Sequence, residues 1–253
     1  MLDASGFIYQ RFIDNRSKTN KGFQEGQSGP LKLATDPSTG KKYIIKYAYQ
    51  HNAANEYTAC WLADKIGVPA PHAYLLYPDI RLNALYPVAI EFIEGFTTID
   101  KTAVPESMKA DLMAQFALNT IIGIDDCIQL NAANGHIYSY DFSEAFHVSD
   151  NLLLKMVLMD EDLGIDAINQ RLASFYRYLS RVDFDVPGLA REFNLDPEHQ
   201  KAAMSATAKK VLDITEDEIR MMSEELCEIY PIDYSVYYEE CIRIIQKRVK
   251  ALT

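Results

Sequence analysis

The sequence predicts an α+β fold of two lobes, a small antiparallel sheet lobe followed by a mainly helical lobe. Two observations indicate this division. Short runs rich in β-branched and aromatic residues, separated by turn residues, dominate the chain up to Gly95. Beyond it, apolar residues recur at helical spacing. We therefore place the lobes at residues 1–95 and 96–253, and 253 residues are enough to bury a core in this arrangement.

Composition and charge narrow the possible partners. Hydrophobic residues make up 48% of the chain and charged residues 24%, as in ordinary globular proteins. A net charge of −11 without a basic cluster argues against nucleic-acid binding. The N-terminus lacks a signal pattern and no apolar run is long enough to span a bilayer, so we expect a cytoplasmic protein without membrane contact. The chain has four cysteines, which are Cys60, Cys127, Cys227 and Cys241. Because they are widely separated in sequence, we predict that they are reduced thiols.

The sheet lobe is predicted to contain five strands and one helix. The strands are expected at residues 7–12, 30–34, 42–48, 72–77 and 86–93. The helix is expected over residues 53–66, capped by Asn52 and stopped by Gly67. Glu56 shares one face of this helix with the small residues Cys60 and Ala63, so its carboxylate should face the sheet.

Lys46 is a lone cation within an apolar strand, ten residues before Glu56. A lysine at a strand edge can extend its amine to solvent, which is the simplest interpretation of Lys46 alone. With Glu56 on the next helix, however, the two residues match the pair that holds a lysine against the α- and β-phosphates of ATP in kinases. The pair therefore favours a nucleotide site.

A second group of polar residues lies between residues 120 and 146. Asp126 precedes Asn131 by five residues, a turn follows at Asn134-Gly135, and a short strand at residues 137–140 is expected to end at Asp141. In this order Asp126 would serve as the base that accepts or orients the hydroxyl proton, while Asn131 and Asp141 would be ligands of Mg²⁺. Asp125 is an alternative to Asp126, and all of these residues are also common in loops where they bond nearby backbone.

Two further segments are candidates for binding the nucleotide. A glycine-bearing loop containing Gly26, Ser28 and Gly29 would let backbone N–H groups approach phosphates closely. Glu91 to Ile93 would form a hinge whose backbone bonds the adenine edge, although an ordinary strand leaving a sheet fits equally well. The predicted cofactors are ATP and Mg²⁺.

The helical lobe opens at Pro105 with a helix to about residue 122, which carries Met108, Leu112 and Phe116 on successive turns. About five helical segments follow residue 149. One begins with a capping box from Thr215 to Glu218. The last presents one apolar face, formed by Tyr238, Cys241, Ile245 and Val249.

At these residues the chain resembles the HipA-like branch of the protein-kinase-like fold, which is also similar to phosphatidylinositol 4-kinases. The resemblance covers roughly residues 20–150. It rests on segments 26–29, 43–46, 55–56, 62–71, 126–131 and 140–146. It implies ATP and Mg²⁺ binding between two lobes and a hydroxyl as phosphoryl acceptor, most often on a protein serine or threonine.

The chain departs from the HipA-like pattern in two places. Ile128 and Leu130 stand where that pattern has histidine and lysine, and the metal motif is Asp141-Phe-Ser rather than Asp-Phe-Gly. A positioned cation near the catalytic aspartate is worth several kcal/mol of transition-state stabilisation. Two alternatives to a protein kinase therefore stay open, namely a small-molecule kinase similar to aminoglycoside phosphotransferases and a pseudokinase that acts as an interaction module.

Overall fold

The computed structural model describes residues 1–11, 31–77, 81–82, 85–124, 130–146, 165–184 and 187–252. Within these ranges a sheet-rich region comes first and helices dominate the remainder. This confirms the predicted α+β class and its order along the chain.

Six strands form the main sheet. They are β1 (Leu2–Asp3), β2 (Ile8–Arg11), β3 (Leu31–Thr35), β4 (Lys42–Ala48), β5 (Ala73–Tyr77) and β6 (Tyr86–Glu91). Their spatial order is β1-β5-β6-β4-β3-β2, and every pair is antiparallel except β1 with β5. β4 therefore lies inside the sheet between β3 and β6, with Lys46 directly opposite Val88.

A small second sheet follows the main one. It consists of β7 (Thr97–Thr98), β8 (Asn131–Ala133) and β9 (His136–Ile137) in that order. Asn134 and Gly135 both have positive φ, 52° and 84°, as a two-residue hairpin turn requires, so the predicted turn is confirmed. The expected strand at residues 137–140 is wrong in its bounds, because β9 ends at Ile137. The Tyr138 N–H still donates to the Asn131 carbonyl at 3.0 Å, but the Ser139 N–H donates to the Pro69 carbonyl outside the sheet.

Seven α-helices lie in the described part of the chain. They are α1 (Gln50–Ile66), α2 (Lys109–Ile122), α3 (Ile165–Arg181), α4 (Pro187–Glu192), α5 (Pro197–Lys209), α6 (Glu216–Cys227) and α7 (Ile232–Leu252). The capping box at Thr215 and Glu218 is present, and the predicted apolar face of α7 is buried. Asn52 is not a cap, because α1 begins two residues before it and the Asn52 side chain bonds a distant carbonyl.

Helix α1 is buried on nearly every side. It packs on β4, β5 and β6 with one face and on α6 and α7 with another. Fourteen of its 17 residues are buried, which explains why its sequence lacks the polar stripe of a surface helix. The C-terminal helices thus cover the helix that carries Glu56.

Three of the four cysteines lie in the described part of the chain. Cys60 and Cys241 are buried and Cys227 is exposed, all as free thiols, while Cys127 lies outside the described residues. Within the described ranges, no helix combines the length and apolar character needed to cross a bilayer.

Candidate active site

Lys46 is the centre of the candidate site, and it is nearly fully buried. Its Nζ atom donates to Glu56 Oε2 at 2.8 Å and to Asp141 Oδ1 at 2.5 Å. Strand β4, helix α1 and the segment after β9 each supply one of these three side chains. The fold therefore brings together three of the residues that the sequence singled out.

The two carboxylates keep Lys46 charged. Burial of the amine by itself would lower the pKa of Lys46, but the charges of Glu56 and Asp141 outweigh it and raise that pKa above its ordinary value. Glu56 is buried, whereas the Asp141 side chain is 59% exposed. The two carboxylates and the one ammonium carry a net charge of −1 when all three are ionised. The exposed carboxylate of Asp141 places this negative charge at the surface.

The segment from Asp141 to Phe146 is held by backbone hydrogen bonds. Asp141 and Phe146 have positive φ, 64° and 58°, so the segment contains two left-handed residues. The Phe142 N–H donates to Glu56 Oε1 at 3.1 Å. One oxygen of Glu56 thus binds Lys46 and the other binds the segment that carries Asp141.

Asn52 and Asn55 hold the same segment one residue further on. Each donates its Nδ2 to the carbonyl oxygen of Ser143 at 2.8 Å. With Glu56 they occupy positions i, i+3 and i+4 of α1 and so share a face. That spacing was a signal in the sequence that could have assigned Asn52 to this role instead of to a cap.

Asn131, the predicted amide ligand, lies on β8 directly opposite Thr98 of β7. Its Oδ1 accepts from Thr98 Oγ1 at 3.1 Å and its Nδ2 donates to the Tyr140 hydroxyl. Tyr140 directly precedes Asp141 in the chain. The hydrogen bond from Asn131 to Tyr140 therefore joins the strand that carries the Asn131 amide to the segment that carries the Asp141 carboxylate. No pattern in the sequence indicates a role for Thr98 or Tyr140.

Carboxylate and amide oxygens suit Mg²⁺, which takes few protein ligands and completes its octahedron with water and phosphate oxygens. Asp141 and Asn131 supply such a pair. Among the described residues no cluster of three or more histidine, cysteine or acidic side chains has metal-binding geometry. Asp141 and Asn131 are therefore the described side chains that could contribute to binding such an ion.

The predicted hinge lies at the end of β6. The N–H of Glu91 donates to the His72 carbonyl at 2.8 Å and that of Phe92 to the Lys42 carbonyl at 2.9 Å, so both are used within the sheet. Ile93, half-buried, follows them, and no hydrogen bond of its amide is found among the described residues. Of these three amides, that of Ile93 is the candidate donor to an adenine ring.

Other predicted residues lie outside the described ranges. These are Gly26, Ser28 and Gly29 of the glycine loop, with Asp125, Asp126 and Ile128. Leu130 is described and packs against the main hydrophobic core. Its carbonyl accepts the Ile99 N–H at 2.7 Å. A packing role explains an apolar residue at this position.

The fold defines a class of protein, the two-lobed kinase-like fold, with a curled sheet lobe followed by a helical lobe. Neither a protein-family model nor a curated protein matches the chain. Among solved structures it is similar to the crystal structure of a Helicobacter pylori proinflammatory kinase, CtkA, with a TM-score of 0.53 and 14% sequence identity. The match covers 100% of this chain and 99% of that chain, so the likeness includes both lobes.

Proposed function

We propose that the protein is an ATP- and Mg²⁺-dependent phosphotransferase, and specifically a HipA-like serine/threonine protein kinase. The observation that supports this most directly is Lys46, which contacts both the buried Glu56 and the exposed Asp141 within a kinase-like fold. Phosphoryl transfer depends mainly on positioning and charge stabilisation. A buried lysine fixed beside an exposed carboxylate supplies both.

Each residue has a role in the proposed reaction. Lys46 binds the α- and β-phosphates and remains anchored by Glu56. Asp141 and Asn131 would hold Mg²⁺, which would supply neutralisation of phosphate charge. Asp126 orients or accepts the proton of the attacking hydroxyl, and the backbone of Gly26, Ser28 and Gly29 binds the phosphates.

The charge of the chain suits a basic substrate. The chain carries a net charge of −11, and an acidic field favours a basic protein segment or a metal-nucleotide complex. Ile128 and Leu130 carry no positive charge, so in this proposal Lys46 is the described cation that would neutralise charge on the phosphates.

The test is to incubate the purified protein with Mg-ATP and to measure added phosphate by mass spectrometry, on the protein itself and on a basic test peptide. Asp126→Asn and Asp141→Ala serve as controls, since each removes one proposed role. We expect phosphate on serine or threonine with the wild-type protein and none with either variant. Nucleotide should also raise the melting temperature in the presence of Mg²⁺.

Other outcomes separate the alternatives. Phosphate transferred only to a small cationic acceptor would contradict the protein-kinase assignment and leave a small-molecule kinase. A thermal shift without transfer would indicate a nucleotide-binding pseudokinase. If neither a shift nor transfer occurs, the enzyme proposal is wrong.

A further inference from the structure

Tyr238, on the C-terminal helix α7, reaches the candidate site although it is 97 residues beyond Asp141 in sequence. Its side chain is fully buried. The hydroxyl donates to Asn55 Oδ1 at 2.7 Å and also lies 3.2 Å from the His51 carbonyl oxygen. Asn55 and His51 are both on α1, so the hydroxyl of Tyr238 binds the helix that carries Glu56.

The hydrogen bonds continue from Asn55 into the Asp141 segment. Asn55 Nδ2 donates to the Ser143 carbonyl oxygen, two residues after Asp141. Asn55 also directly precedes Glu56, whose Oε1 accepts the Phe142 N–H. The path from Tyr238 through Asn55 to Ser143, here called the relay, therefore ends beside the carboxylate proposed to bind Mg²⁺.

The direction of the relay is fixed at Ser143, because a carbonyl oxygen can only accept a hydrogen bond. Asn55 therefore presents Nδ2 to Ser143 and Oδ1 to Tyr238. Burial raises the pKa of the Tyr238 hydroxyl well above the ordinary value, so the hydroxyl keeps its proton and donates to Oδ1. The opposite amide orientation would place two oxygens together at Ser143, which is costly.

Asp141 needs such support because it adopts a left-handed φ of 64°, which is unfavourable for a residue with a side chain. Its carboxylate is largely exposed and contacts Lys46 and Ser143 Oγ. Side-chain packing alone therefore does little to fix its direction. Backbone hydrogen bonds at Phe142 and Ser143 restrain the segment instead.

We propose that Tyr238 is a positioning residue for the proposed metal-binding site: through Asn55 it orients the backbone of the Asp141 segment for Mg²⁺. This inference rests on the proposed nucleotide- and metal-binding function. It assigns to the C-terminal helix a role in metal affinity beyond its role in the core.

A matched control variant exists on α1. Tyr57 is also buried, and its hydroxyl donates to Glu225 at 2.8 Å, which joins α1 to α6. This bond links the same helix to a C-terminal helix, but it has no hydrogen-bonded path to Ser143 among the described residues. Tyr57→Phe therefore removes a comparable hydroxyl without touching the relay.

The experiment compares Tyr238→Phe and Tyr57→Phe in the full chain. Nucleotide binding is measured with ATP at increasing Mg²⁺, without acceptor, and the melting temperature of each variant is recorded without ligand. We expect both variants to melt a few degrees lower than the wild type. Tyr238→Phe alone should raise the Mg²⁺ concentration for half-maximal binding, by about three- to tenfold.

Two further measurements complete the test. Asn55→Ser should reproduce the Mg²⁺ effect, and the double variant should be no weaker than the worse single variant, because both act through one path. Hydrogen exchange of the 141–146 backbone should rise in Tyr238→Phe and not in Tyr57→Phe, with no nucleotide present. If Tyr238→Phe fails to fold, Asn55→Ser decides the outcome.

The two proposals fail differently. If the wild-type protein binds nucleotide with Mg²⁺ but Tyr238→Phe and Tyr57→Phe have equal Mg²⁺ requirements, the relay has only a structural role and the inference is wrong. If the wild-type protein binds no nucleotide at any Mg²⁺ concentration, the proposed function is wrong and the inference falls with it.

Discussion

Lys46 and Glu56 form a buried ion pair across the interface between strand β4 and helix α1, with Nζ 2.8 Å from Oε2. Both side chains are removed from water, 9% and 1% exposed respectively. Desolvating two charges is costly, and the pair persists because further hydrogen bonds satisfy it, from Lys46 to Asp141 and from the Phe142 N–H to Glu56. Apolar residues of similar volume often stabilise a core as well as a buried ion pair does, so the retention of this pair supports the proposed phosphate-binding role of Lys46.

Glu56→Gln is predicted to destabilise the protein strongly. The amide keeps an oxygen for one hydrogen bond but loses the charge, which leaves a buried ammonium with the exposed Asp141 as its remaining carboxylate. Loss of one partner of a buried pair costs about 3–5 kcal/mol, and we expect the lower end because Asp141 remains. Chemical denaturation at pH 7 measures the change in the free energy of unfolding.

A second lysine–glutamate pair, whose lysine lies on the same strand, provides the control. Lys42 and Glu94 lie 2.6 Å apart but are both exposed, so solvent weakens their attraction. Glu94→Gln should leave the denaturation midpoint almost unchanged. Equal effects of Glu56→Gln and Glu94→Gln would contradict the assignment of a special buried pair.

Asp141→Asn is predicted to remove Mg²⁺-dependent nucleotide binding while the protein remains folded. The side chain is 59% exposed, so the substitution should not disturb the core. Amide oxygens bind Mg²⁺ more weakly than carboxylates because they carry no charge. Thermal shift with ATP, with and without Mg²⁺, checks this, and a shift equal to that of the wild type would exclude Asp141 as a ligand.

The strand–helix unit around Lys46 could be predicted from sequence because each of its signals is local. Lys46 stands within an apolar strand, and the next helix places small residues beside Glu56. These two patterns predict the strand, the helix and the faces through which they pack. The observed strand at Lys42–Ala48 has the predicted bounds, and Gly67 follows the last residue of the helix as predicted.

The relay could not be predicted in this way. Tyr238 lies 183 residues from Asn55, and its sequence context is an ordinary apolar helix face. The start of α1 was also misjudged. Asparagine is a common helix cap, and Asn52 precedes the first predicted helical residue. In the structure, however, α1 begins at Gln50 and the Asn52 side chain donates to the Ser143 carbonyl oxygen.

Stability is predicted to fall at low pH partly through Glu218. The hydrogen bond from Lys65, followed by those from Thr215, lowers its pKa from 4.5 to about 2. In the unfolded chain the Glu218 carboxylate binds a proton near pH 4.5, whereas in the folded chain it binds one only near pH 2. Acid therefore favours unfolding between these two pH values. Above pH 4.5 the contribution is fully present.

Glu218→Gln tests this assignment, because glutamine retains an oxygen for the capping box but has no charge for Lys65. The difference in melting temperature between wild type and variant should be constant from about pH 7 to pH 5 and should shrink as the pH falls towards 3. A difference that is independent of pH would show that the carboxylate charge of Glu218 does not contribute.

Gly67→Ala is predicted to destabilise the end of α1. Gly67 has φ 69° and ψ 36°, and its N–H and that of Val68 donate back to the carbonyls of Asp64 and Ala63. A Cβ here would lie 3.3 Å from the flexible end of Lys210, so the cost arises mainly from the left-handed backbone, about 1–2 kcal/mol.

Gly6→Ala is the control, since Gly6 lacks a positive φ and a Cβ there meets no atom within 4 Å. Urea denaturation of both variants measures the difference, and equal midpoints would show that the conformation of Gly67 does not limit the stability of α1.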